Sequence, residues 1–161
     1  MSLSVIKLLK DIKESIGDKK SYLYGSTIRK ILNNSVPDIF NVFIKVHHAE
    51  NRDRILEKLP KSSKVHYHLD TSIGIDDIFT INLLYVDIED IINGDIEVQC
   101  FQQGLKDYNK KSIKFTKEAI ANMKPQYILR AIELSVETDF HLYSKKITEI
   151  YNNKKYISNL T

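Results

Sequence analysis

The chain has 161 residues, 42% of them hydrophobic and 28% charged, a balance that suits one cored soluble domain or a domain with a small appendage. Its net charge of +3 is too small to imply nucleic-acid binding, though it does not oppose it, and a lone Cys100 excludes an internal disulfide and fits a reducing cytoplasm. Apolar runs such as Leu83 to Val86 are only strand-sized, which excludes a membrane span, and the lysine-bearing N-terminus lacks the small-residue cleavage site of a signal peptide.

Leu3, Ile6, Leu8, Leu9, Ile12 and Ile16 fall mostly on one helical stripe, so the spacing predicts a helix over 3–16, ended by Gly17. A strand follows over 20–24, then a break at Gly25-Ser26 and a helix from Thr27 to Asn33. Asn33, Asn34, Ser35 and Pro37 make a loop. Phe40, Val42, Ile44 and Val46 alternate with Asn41, Phe43 and Lys45, the pattern of a strand with one well-buried face. Ala49 to Leu59 is a polar amphipathic helix closed by Pro60, and Lys64 to Leu69 and Phe79 to Val86 read as strands. Asn93-Gly94, between Val86–Glu89 and Asp95–Val98, predicts a type I′ hairpin. Helices are then expected over Lys117 to Asn122, Pro125 to Glu137 and Ser144 to Asn152, with Pro125 at a first helical position and Ser144 as an N-cap. The organisation is an α+β unit over residues 1–115 followed by a short helical segment over 116–161, without internal repeats.

The break at Gly25-Ser26 is the most informative local feature. A strand-to-helix turn exposes backbone N–H groups that can receive a phosphate, with Arg29 one turn further on, although any tight turn here needs a small residue. His66-Tyr67-His68-Leu69-Asp70 places two imidazoles on one strand face with Asp70 beyond them, which fits either a metal site or two ordinary strand histidines. His47 and His48 point to opposite faces of an extended segment and do not chelate together. The pairs Asp87/Glu89 and Asp95/Glu97 sit at strand period and fit either metal ligands or the solvated face of a hairpin. Tyr151 to Tyr156 interleaves aromatics with lysines, a composition for tracking single-stranded RNA or for a solvated tail.

Four stretches in order resemble the class II tRNA nucleotidyltransferase and poly(A) polymerase family, within the DNA polymerase beta-like nucleotidyltransferase superfamily. Tyr22-Leu23-Tyr24-Gly25-Ser26-Thr27-Ile28-Arg29-Lys30-Ile31-Leu32 is similar to Y-L-V-G-G-x-V-R-D-x-L, and Phe79-Thr80-Ile81-Asn82-Leu83-Leu84-Tyr85 to F-T-I-N-A-L-A. Gly104-Leu105-Lys106-Asp107 is similar to G-L-x-D, and Pro125-Gln126-Tyr127-Ile128-Leu129-Arg130-Ala131-Ile132 to P-L-R-I-L-R-A-I. The resemblance implies a nucleotidyltransferase head, a mixed sheet flanked by helices, with a neck-like helical segment after it. It also implies a phosphate cradle at Gly25, Ser26 and Arg29.

The resemblance departs where the family does chemistry. The family's D-x-D pair holds two magnesium ions on one strand face. Asn41 and Phe43 occupy those positions here, and a shifted register would set Asp38 and Phe40 there instead, again without a pair. Asp76-Asp77-Ile78 stands where the family has R-R-D, and Met123-Lys124-Pro125-Gln126-Tyr127 replaces the base-reading E-D-x-x-R. The family's RNA-binding body and tail domains are expected to be absent. The expectation is therefore a degenerate, truncated head, a pseudoenzyme with no cofactor and no metal that binds a nucleotide, an RNA end or a protein partner in the cytoplasm. Two alternatives remain at this level. One is a small active magnesium-dependent transferase using relocated Asp38, Asp70, Asp76 or Asp77, and the other is a structural homo-oligomeric module.

Overall fold

The computed structural model describes residues 2–48 and 51–142. The helix expected from Ser144 to Asn152 and the Tyr151 to Tyr156 stretch lie outside the described residues. The chain divides into two compact units: Met1–Ile75 with Leu84–Gln99, and Asp76–Leu83 with the chain from Cys100 onward. Among the described residues no helix is long and apolar enough to cross a membrane.

In the first unit, α1 (Leu3–Ile16) starts at Ser2, whose hydroxyl accepts from the Val5 N–H, and stops at Gly17 with φ +65°. Its buried stripe is Leu9, Ile12 and Ile16. There follow β1 (Ser21–Tyr24), α2 (Ser26–Leu32), β2 (Phe40–Lys45), α3 (Arg52–Lys58) and β3 (Val65–Asp70). The unit ends with β4 (Leu84–Asp87), α4 (Ile88–Ile92) and the start of β5 (Gln99–Cys100). The sheet order is β3-β2-β1-β4-β5. Strands β2 and β3 are parallel, whereas β1 is antiparallel to both β2 and β4. The α+β class and the mixed sheet expected from the sequence are both present.

Register and the two-residue period decide which side chains share a face. Leu23 pairs with Val42 and with Val86, and Ser21 with Ile44. Leu23, Val42, Ile44, Leu84 and Val86 are fully buried and, with Leu9, Ile12, Ile28 and Ile88, supply the apolar core of this unit. The opposite face carries Tyr22 paired with Phe43 and Asp87, Tyr24 with Tyr85, Asn41 with His66, and Phe43 with His68. Phe43 is fully buried as well, so β2 does not have the single buried face its alternation suggests.

The helix after β1 is held to β2 by one hydroxyl. Thr27 Oγ1 donates to the Ile39 carbonyl at 2.8 Å and accepts from the Asn41 N–H at 2.8 Å. Both backbone groups sit where the chain enters β2, and Thr27 itself is fully buried.

The second unit contains a 3-10 turn (Thr80–Asn82), α5 (Gly104–Asn109), β6 (Ser112–Ile113), α6 (Lys117–Ala121), α7 (Pro125–Thr138) and β7 (His141–Leu142). Its core gathers Phe79, Ile81, Ile113, Phe115, Ala119, Met123, Ala131 and Leu134. Thr116 caps α6 through the Ala119 N–H, and Pro125 opens α7 as the sequence predicts.

Two expectations are corrected. The strand read from Phe79 to Val86 begins only at Leu84. Asp77 Oδ1 accepts from both the Phe79 N–H and the Asn82 amide, which winds the intervening backbone into the 3-10 turn. The hairpin at Asn93-Gly94 is absent. Asp87 accepts from the Glu89 N–H and so N-caps α4, and Gly94 with φ +79° closes that helix by donating to the Ile91 carbonyl. Asn-Gly supplies a left-handed residue, which a helix end uses as readily as a hairpin.

Replacing Thr27 by Val removes the hydroxyl and leaves the Ile39 carbonyl and the Asn41 N–H without their partner. The variant should lose about 1–3 kcal/mol in urea unfolding at an unchanged m value, and Thr27→Ser should recover most of that loss.

Candidate functional site

The strand-to-helix turn is built on Gly25, at φ +68° and ψ −138°, a conformation costly for a residue with a Cβ. Its N–H donates to the Leu84 carbonyl at 3.0 Å, tying the turn to β4. The N–H groups of Ser26 and Thr27 come before the intrahelical ladder of α2, and no side chain caps this helix. The Asn41 amide donates to Ser26 Oγ at 3.4 Å. The structure therefore brings Asn41 to the Gly25-Ser26 turn, the side at which the resemblance places the first metal ligand. Arg29 is only 8% exposed and is engaged within the protein.

Phe43 lies one step along the same face. Its ring meets Tyr24 edge-on at 6.5 Å and His68 at 5.2 Å between centroids. A buried phenyl ring offers no lone pair, and Asn41 brings a neutral amide, donating through its NH2 to Ser26, where a carboxylate would be needed. These residues do not fit a magnesium pair. Among the described residues, no three His, Cys, Asp or Glu side chains come together as a metal site.

Three of the four relocated carboxylates have partners of their own. Asp38 is 87% exposed at its side chain and pairs with Lys30 at 2.8 Å; that hydrogen bond and the lysine's charge hold its carboxyl below the usual range. Asp70 accepts from the Thr71 N–H at 2.6 Å, which lowers its pKa, and lies 3.9 Å from both Arg52 and His68. Asp77 holds the 3-10 turn, and Asp76 is exposed.

His66 and His68 share the strand face as their spacing requires, and both are exposed. They do not meet Asp70 as a three-ligand metal site. His47 and His48 are exposed beyond the end of β2. Asp87 is a helix cap and Glu89 lies in the first turn of α4, while Asp95 and Glu97 are exposed outside any strand, so neither acid pair forms a strand-face site. In the stretch aligned with base reading, Met123 is buried, Gln126 is exposed, and Lys124 Nζ stands 5.9 Å from the Tyr127 ring centre.

The second unit holds a cluster to which the sequence assigns no chemistry. Asp107 is 1% exposed. Its Oδ2 accepts from the Thr80 hydroxyl, and its buried Oδ1 has no hydrogen bond, though Lys114 Nζ lies 3.5 Å away. These residues line a cavity of about 600 Å³ with Gln103, Phe115 and Ile120. Thr80 and Asp107 fall in two stretches that the resemblance names separately, F-T-I-N and G-L-x-D. That was the available signal, and only the fold pairs them.

No protein-family model matches the chain, and no curated protein sequence does. Solved structures do match in fold. The Thermotoga maritima CCA-adding enzyme complexed with tRNA-CCA aligns with a TM-score of 0.70 at 18% identity, over 99% of this chain and 44% of that one. A CCA-adding enzyme complexed with CTP aligns at 0.70 and 16%, over 99% and 43%, and a CCA-adding enzyme in its apo form I at 0.67 and 17%, over 99% and 44%. The chain spans less than half the length of these structures. The likeness establishes the nucleotidyltransferase-head type of fold.

Substituting Thr80 by Val should destabilise the protein by about 1–3 kcal/mol, because it leaves a second buried carboxylate oxygen of Asp107 without a donor. A shift of the urea midpoint checks this.

Proposed function

We propose that the chain is a nucleotidyltransferase-fold module that binds a nucleotide or an RNA end without transferring nucleotides. The observation that carries this reading is Phe43, fully buried at the position the resemblance pairs with a metal carboxylate. Asn41, the other such position, is hydrogen-bonded to Ser26. Two-metal catalysis needs carboxylates that bridge cations to the phosphates and the attacking hydroxyl. An amide and a phenyl ring do not supply that charge. The solved CCA-adding enzymes of similar fold include complexes with tRNA-CCA, CTP and ATP, which supports a ligand of nucleotide type for this chain. On the turn that Gly25 makes, the N–H groups of Ser26 and Thr27 and the Ser26 hydroxyl would receive its phosphate, since the Gly25 N–H is bonded to Leu84.

A second reading, a protein-docking or homo-oligomeric module, is supported by one feature. Leu129, Ile132 and Val136 are 53%, 44% and 81% exposed and recur at helical spacing along α7. The relocated-carboxylate enzyme has no comparable support, since Asp38 and Asp70 are taken up by Lys30 and Thr71.

Incubation with magnesium, an RNA primer and each labelled nucleoside triphosphate should give no incorporation, while equilibrium binding of the primer or a triphosphate remains measurable. Robust primer extension would overturn the non-catalytic reading.

A further inference from the structure

The sheet face opposite the apolar core is paved with rings. Two rows run across it from β4 to β3. One is Asp87, Tyr22, Phe43 and His68, and the other brings Tyr85 to Tyr24 and Asn41 to His66. Tyr22 and Tyr85 meet edge-on at 5.6 Å. Phe43, fully buried on this face, packs against the Tyr24 and His68 rings. Tyr22, Tyr24, Asn41 and Tyr85 are half-buried, while His66 and His68 are exposed.

From these placements we infer that this face is a stacking platform for unpaired RNA bases, the ligand surface of the binding module proposed above. Four strands span about 14 Å from first to last. A four-stranded sheet with ring side chains on one face has room for two or three bases. Stacking tolerates any base and needs no metal, which suits a face where a phenyl ring lies in place of a carboxylate.

The charged groups at the margins carry a slight positive excess, three cations against two acids, which a polyanion complements. The two acids at the margins are each offset by a cation, Asp87 by Lys20 and Asp70 by Arg52, both at 3.9 Å. Lys45 is exposed beside Asp70 in the register, adding a positive group at the same margin. Burial, with the nearby Asp87 and Tyr85, pushes the Tyr22 hydroxyl up, so it stays a neutral donor for a base edge or a sugar.

The test is fluorescence anisotropy of a labelled oligo(A) of about ten nucleotides, with a duplex of equal length and ATP alone as further probes. The double variant His66→Ala/His68→Ala should bind the oligonucleotide about tenfold or more weakly, since stacking contributes roughly 1–3 kcal/mol per base. His66→Phe/His68→Phe should bind nearly as the unmodified chain does, because the rings remain. Both histidines are exposed, so folding should survive, and unchanged circular dichroism confirms it. Tyr85→Ala against Tyr85→Phe repeats the comparison on β4. If the Ala and Phe variants behave alike, or duplex binds as well as single strand, the platform is refuted while the binding module stands. If neither oligonucleotide nor ATP binds, both readings fall. A dimer of the unmodified chain that His66→Ala/His68→Ala converts to monomer would give this face to a second copy and overturn the platform.

Discussion

The arrangement of the candidate site depends on the buried hydroxyl of Thr27. It bonds two backbone groups that flank the start of β2, one as donor and one as acceptor, at 2.8 Å each. Helix α2 is thereby fixed against the strand that follows it. With the Gly25 N–H bonded to β4, the turn is held from both neighbours of β1. Ser26 then meets Asn41, although the two are separated by a helix and a loop in sequence. A buried hydroxyl with both roles filled specifies one geometry, because any other leaves an unpaired polar group.

Much of this was legible in the residues. Helix α1, the break at Gly25-Ser26, the strands β2 and β3, and Pro125 at the start of α7 follow from period and punctuation, whereas the parallel pairing of β2 with β3 does not. The failures share one cause. Asp77 and Asp87 look like strand or loop acids in sequence, yet each accepts from the backbone N–H two residues on and bends the chain locally. Side chains that compete for the backbone override alternation, and hydrophobic period cannot register that competition. Asp107 was illegible for another reason. Its partner Thr80 is 27 residues away, and only packing brings them together.

The two faces of the first sheet present different physical problems. The core face is aliphatic and fully buried, so it constrains volume and shape. The opposite face carries rings and imidazoles in register across four strands, partly buried on β1 and β4 and exposed at His66 and His68. Cross-strand ring pairs stabilise a sheet by roughly 0.5–1.5 kcal/mol beyond their burial. The side chains that could hold a ligand there thus also support the strands beneath them.

Phe43 shows why this face is unsuited to a metal pair. A carboxylate in its place would be surrounded by the rings of Tyr24 and His68 and, without a cation, would carry a large desolvation penalty. A phenyl ring reverses the sign of that term, because burying it contributes about 1.5–3 kcal/mol to folding. The apolar side chain that leaves the position without a metal ligand also closes the gap between β1 and β3. Stability and metal binding are opposed at this residue, and the observed packing resolves the conflict toward stability.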